Sequence, residues 1–259
     1  MVGGVAALAG ADSATMLRLG GSMTALQVAI GALNDLVDVP LDAGRKPGKP
    51  IPAGLVSPAA ARFISALGAA IGVALAVPSG AALVALAAIV LGIGWAYDLW
   101  AKGTAWSWLP FAVGIPILPV YGWLGASGTI PDWLVVLVPL GMLVGAGLAV
   151  ANARADAERD AGAGTDSVAL ALGDGRSWSV NAGLLLVALG LAVAWLGTAG
   201  QGSPAIVAAI AAGSVVLVAG LVLGRSPEAD RRERGWQAQA VGISVIALAW
   251  VAAAATTTA

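Results

Sequence analysis

The sequence contains no cysteine and no histidine. Without thiols there are no disulfides, thiolate metal sites, iron–sulfur clusters or cysteine nucleophiles. Without imidazole there is no histidine-ligated haem, no His-bound zinc and no Ser-His-Asp relay. Any metal has to be held by carboxylate and amide oxygens, a donor set that suits magnesium. Charge is also scarce: 10% of the residues are Asp, Glu, Lys or Arg, against about 25% in soluble domains. A net charge of −1 leaves no electrostatic footprint for nucleic acid.

What fills the chain is apolar. Of 259 residues, 59% are hydrophobic, against about 45–50% in soluble proteins, and the mean hydropathy is +0.91. This composition predicts one all-α domain over residues 1–259, a polytopic transmembrane helical bundle with no room for a separate soluble catalytic domain. Apolar runs near span length are expected at about 14–37, 59–77, 81–97, 106–125, 133–153, 179–198, 204–223 and 236–256. The opening run from Val2 to Gly10 is too short for a hydrocarbon core of roughly 30 Å. It reads as the end of an incomplete first helix, which brings the expected bundle to about nine. A signal peptide is the competing reading, against which no Lys or Arg precedes the apolar run.

The bases set the orientation. Arg45, Lys46, Lys49, Lys102, Arg154, Arg159, Arg176, Arg225, Arg231, Arg232 and Arg234 fall in alternate connections, Arg62 flanks the same face, and Arg18 alone lies opposite. The positive-inside rule makes the basic face cytoplasmic, in a multi-pass protein of the cell's inner membrane. Trp100, Trp106, Trp108, Trp178 and Trp236 fall near inner span ends and Trp123, Trp133 and Trp250 near outer ones, as interfacial belts require. The 36 glycines read as close helix packing through small residues.

Two acidic clusters stand out on the cytoplasmic side. Asn34, Asp38 and Asp42 are spaced by four at the inner end of the first complete span, with Asp35 beside them; in a continuous helix they form one stripe of oxygen ligands. Pro40 interrupts that stripe, because it lacks an amide hydrogen and disfavours a helical Val39. Asn152, Asp156 and Asp160 repeat the spacing at another inner end, with Glu158 between. Ionisable residues at membrane depth are functional candidates by default, and the topology allows both clusters to meet at one site. Solvated loop charge is the bland alternative for either cluster alone. Between them, the Pro-rich loop of Arg45, Lys46 and Lys49 ending at Gly54 offers bases for an anion. Tyr97 and Lys102 add a phenol and an ammonium at a third inner end.

In these motifs the sequence resembles the UbiA superfamily of intramembrane prenyltransferases. The first family motif matches Asn34, Asp35, Asp38 and Asp42, followed by Lys49-Pro50-Ile51-Pro52-Ala53-Gly54 with lysine in place of arginine. The second matches Asn152 through Asp160, continuing into Gly164, Ser167 and Leu172-Gly173, with Ala153 where many members carry Asp. Tyr97 and Lys102 match the Tyr-x-x-x-x-Lys element. The resemblance implies a helical bundle with a central cavity open to lipid, taking a prenyl diphosphate donor and an aromatic quinone-precursor or other small lipid-precursor acceptor. It implies Mg²⁺ held by Asn34, Asp38, Asp156 and Asp160, with Asp35, Asp42 and Asn152 supporting. Asp38, Asp156 and Asp160 are the expected catalytic core, and Arg45, Lys46, Lys49, Tyr97 and Lys102 would steady the diphosphate. A terpene cyclase, in which the cation is captured by its own chain, is an alternative on the same site. A small transporter is a further one, disfavoured because the acids sit at helix ends instead of mid-span.

Overall fold

The computed structural model describes residues 1–42, 48–199 and 203–256, which form helices joined by turns and short irregular connections, with no strand among them. The helices in chain order are α1 (Val2–Leu8), α2 (Ser13–Val37), α3 (Val39–Asp42), α4 (Pro58–Ala76), α5 (Ala81–Ala96), α6 (Leu109–Gly114), α7 (Ile117–Ser127), α8 (Asp132–Ala163), α9 (Val168–Leu172), α10 (Asp174–Ala199), α11 (Pro204–Leu223) and α12 (Ala229–Ala255). Among the described residues eight segments are long and apolar enough to cross a membrane, the number the apolar runs predict, and the protein is a multi-pass membrane protein. The short opening apolar run is present as α1, seven residues whose Val2, Val5 and Ala6 are buried.

Boundaries move for physical reasons. The span expected at 106–125 is split into α6 and α7 around Ile115 and Pro116, since Pro116 has no amide hydrogen to continue the ladder. The spans expected to end at 153 and to begin at 179 and 236 instead reach Ala163, Asp174 and Ala229. Helical hydrogen bonding continues in polar turns that hydropathy does not register.

Four apolar clusters hold the bundle among the described residues, two of which each join one of its halves. Leu19, Met23, Leu26, Leu83 and Tyr121 join α2, α5 and α7, while Leu185, Leu217, Leu221, Ile243 and Ile246 join α10, α11 and α12. Small residues let backbones approach, as their abundance suggests: a Cβ on Gly242 would lie 2.7 Å from the Gly213 carbonyl oxygen. The outer tryptophans depart from the interfacial belt expected of them. Trp123, Trp133 and Trp250 are buried and packed edge to face, Trp123 on Trp133 at 4.6 Å and Trp133 on Trp250 at 6.0 Å between centroids. Their rings serve the core, whereas Trp100 and Trp106 at the inner ends are exposed. Arg18, the lone outer base, donates to the Leu75 carbonyl at 2.8 Å and the Ser79 hydroxyl at 2.9 Å, so it ties α2 to the turn after α4.

Candidate active site

The elements of the first cluster follow from local breaks in helix geometry. Helix α2 stops at Val37 with Asp38 as its C-cap, and Pro40 falls in the separate turn α3. Asn34 and Asp38 therefore stay one turn apart on one helix end, while Asp42 lies beyond the break. The Asp42 side chain, Arg45 and Lys46 lie outside the described residues. Helix α5 ends in a π-helical turn, Tyr97–Ala101, closed by the Lys102 amide on the Tyr97 carbonyl at 2.8 Å. Such wide turns recur at functional sites, and this one brings Tyr97, Asp98 and Lys102 against the end of α2.

The contacts across that junction are specific. The Asn34 amide nitrogen donates to Asp98 Oδ1 at 2.8 Å. Lys102 donates to Asp38 Oδ2, and Lys49 donates to Asp35 Oδ1. Asp38 and Asp98 are each 4% exposed. Asp38 Oδ1 and Asp98 Oδ2 are buried without a hydrogen-bond partner, an uncommon condition for polar atoms in protein interiors.

The second cluster is carried whole on α8, whose length keeps Asn152, Asp156 and Asp160 on one partly buried face. Asp156 pairs with Arg159 of the next turn, and the Asp160 carbonyl accepts from the Thr165 amide at 3.0 Å as α8 ends. The connections that follow the two clusters lie against each other, since a Cβ on Gly103 would lie 3.8 Å from Thr165 Cβ and the Val168 amide donates to Ser107 Oγ at 3.5 Å, and acids of both clusters, Asp38 and Asp98 on one side and Asp156 and Asp160 on the other, lie within electrostatic reach of Tyr97. Lys102, paired with Asp38, also acts on Asp160.

Asn34, Asp35, Lys49, Tyr97 and Asp98 form the polar end of a cavity of about 920 Å³, whose lining does not include Asn152, Asp156 or Asp160. Away from that end it runs between apolar walls that include Met23, Ile30, Ile93, Phe111 and Leu118. Tyr97 is steadied edge-on by Phe111, with 5.3 Å between centroids. The space is polar at one end and long and greasy at the other, which suits an amphiphile with an anionic head. The oxygen-only donors and the two orphaned carboxylate oxygens fit a hard divalent cation. Among the described residues no three acids lie close enough to cage a metal by themselves. A cation here would complete its shell with water and ligand oxygens, the habit of magnesium.

Sequence reasoning passed over Asp98. Its signal was an acid at the end of an apolar span, next to the already selected Tyr97. It also counted Arg154 and Arg232 as loop bases, whereas they are 4% and 5% exposed. Arg154 bonds Ser177 Oγ at 2.7 Å, the Gly224 carbonyl at 3.1 Å and the Asp174 carboxylate at 2.8 Å. Arg232 bonds the carbonyls of Arg154 at 2.8 Å and Pro227 at 2.6 Å, and pairs with Glu158.

The same architecture occurs in solved proteins. A UbiA homologue from Aeropyrum pernix K1 aligns with a TM-score of 0.74 at 20% identity, covering 95% of this chain and 94% of that one. A UbiA homologue from Archaeoglobus fulgidus, bound to GPP and Mg²⁺, aligns at 0.71 and 16% over the same shares. A digeranylgeranylglyceryl phosphate synthase aligns at 0.70 and 18%, covering 98% and 92%. No curated protein matches the chain. Residues 1–240 match the UbiA prenyltransferase family, and the chain belongs to it.

Proposed function

We propose that the protein is a Mg²⁺-dependent intramembrane prenyltransferase, moving an isoprenyl group from a prenyl diphosphate to an aromatic quinone precursor or another small lipid precursor. The observation that carries this reading is a long apolar cavity whose polar end is Asn34, Asp35, Lys49, Tyr97 and Asp98, with Lys102 holding Asp38 at the same helix junction. Family membership and the GPP and Mg²⁺ bound by the Archaeoglobus fulgidus homologue support it.

Asn34, Asp38, Asp156 and Asp160 are assigned to the metal, with Asp35, Asp42 and Asn152 in support. Arg45, Lys46, Lys49, Tyr97 and Lys102 are assigned to the diphosphate. Bound Mg²⁺ supplies Lewis-acid stabilisation of the departing diphosphate. Lys102 and Lys49 place positive charge where the leaving oxygens gather negative charge, a preorganised stabilisation of the kind that dominates many rate enhancements. The carbon–oxygen bond breaks, its electron pair leaves with the diphosphate, and the allylic cation forms between apolar walls that exclude water. The acceptor attacks that cation and gives up a proton. The site faces the cytoplasm, where the basic connections place it.

The test is release of diphosphate from labelled geranylgeranyl diphosphate by the protein in nanodiscs, with and without Mg²⁺ and a panel of acceptors. Release is expected to require Mg²⁺ and to fall at least about a hundredfold in Asp38→Ala and Asp156→Ala, with membrane insertion unchanged. Undiminished release by either variant would remove it from the site. Hydrocarbon or alcohol formed without any acceptor would reassign the protein to the terpene cyclases.

A further inference from the structure

We infer that Asp98 is a positioning residue, which acts through Asn34 by fixing the side-chain amide so that its carbonyl oxygen is the atom offered to the metal. This inference rests on the proposed metal site. An asparagine amide carries a donor nitrogen and an acceptor oxygen on opposite edges, and only the oxygen is a ligand for a hard cation. A carboxylate accepts and does not donate, so it selects the nitrogen edge. Asn34 presents that edge to Asp98 Oδ1 at 2.8 Å, which turns its oxygen away from Asp98 at the polar end of the cavity.

The surroundings single out this role. Asp98 is 4% exposed and its second oxygen is buried without a partner, an arrangement unsuited to a residue serving only as surface charge. The neighbouring acid Asp38 is held in a parallel manner by Lys102. Asn34 and Asp38 on α2 are thus each gripped by the residue in register on the turn after α5, Asp98 and Lys102. Outer partners of this kind typically change metal affinity by about 10–100-fold when removed.

Mn²⁺ binding to the full chain in nanodiscs, followed by electron paramagnetic resonance with methylenediphosphonate present, reads this without turnover. Asp98→Leu, close in volume and lacking the acceptor, is expected to weaken Mn²⁺ about 10–100-fold while melting near the wild type. Should it melt early, Asp98→Ser, too short to reach Asn34, carries the same expectation. Asp98→Asn, whose carbonyl can accept from Asn34, is expected to recover most of the loss. In an Asn34→Ala background, Asp98→Leu should add nothing, since a residue that acts through Asn34 has no effect once it is gone. Unchanged affinity in a folded Asp98→Leu or Asp98→Ser protein would overturn the inference. Additive losses in the double variant would overturn it too, by making Asp98 an independent ligand. Wild-type protein that fails to bind Mn²⁺ with the diphosphonate would overturn the metal site itself, a result distinct from either.

Discussion

The two acidic clusters are held in place by different means. On α2 the functional groups are gripped one by one: Asn34 by Asp98, Asp38 by Lys102, Asp35 by Lys49. On α8 the helix is gripped instead, from behind, by two buried arginines whose targets are largely backbone carbonyls of α8 and of the connections before α10 and α12. Asp156 then takes a local partner, Arg159, one turn along the same helix. Individual bonding fixes the orientation of each ligand atom. Clamping the helix fixes where the row of ligands stands and leaves each carboxylate able to turn toward what it binds.

That contrast predicts that the arginine clamp matters most to stability. Arg232→Met leaves the carbonyls of Arg154, Ser226 and Pro227 without their guanidinium donor. Hydrogen bonds to a charged group contribute about 1.5–3 kcal/mol each, and of these three the Arg154 bond is buried and the other two part-buried, so a loss of several kcal/mol and a clearly lower melting temperature in detergent are expected. Lys49→Met, which breaks a pair whose side chains are 28% and 29% exposed, should change stability by about 1 kcal/mol or less. Equal melting temperatures for the two variants would break the comparison.

A smaller effect separates two glycines, one in each half. A Cβ at Gly145 would fall 2.2 Å from the backbone oxygen of Phe111, which cannot yield without moving α6 against α8. At Gly94 it would meet only the Ile30 side chain, with Cδ1 at 2.4 Å, and that chain can rotate into the cavity it lines. Gly145→Ala is therefore expected to destabilise by about 1–3 kcal/mol. Gly94→Ala should keep most of its stability and weaken donor binding, read as a raised KM. A raised KM in Gly145→Ala with unaltered melting would reverse the assignment of these walls.

The legible parts of the protein were those with a sequence period or a length. Eight apolar runs gave eight spanning helices because burial in lipid demands unbroken hydrogen-bonded helix of fixed length. The four-residue spacing of Asn152, Asp156 and Asp160 survives since α8 has no breaker there, whereas Pro40 separates Asp42 from its stripe. Asp98 was not singled out because its role depends on the π-helical turn after α5, a register shift without a periodic signature. Arg154 and Arg232 look like any cytoplasmic bases until the connections around Asp174 and Gly224 to Pro227 fold over them. The outer tryptophans likewise obey the depth rule in sequence, but neighbouring helices enclose them.

The smallest effect lies at the opposite ends of the two ligand-bearing helices. Asp12 caps α2 by accepting from the Thr15 amide at 2.8 Å, whereas α8 begins at Pro131 with no side-chain cap. The Thr15 amide bond lowers the Asp12 pKa below 3.8. A depressed carboxylate contributes stability that is fully present above its unfolded pKa and is lost as pH falls through the folded one. Asp12→Asn, which can still cap but carries no charge, should therefore melt slightly below the wild type at neutral pH, and the difference should begin to shrink below about pH 4 and disappear once the pH has fallen through the lowered folded pKa. Because the residue is fully solvated, the gap is expected to be slight and to shrink in high salt. A gap that widened on acidification would mean that the charge opposes the helix, and that α2 is held from its inner end alone.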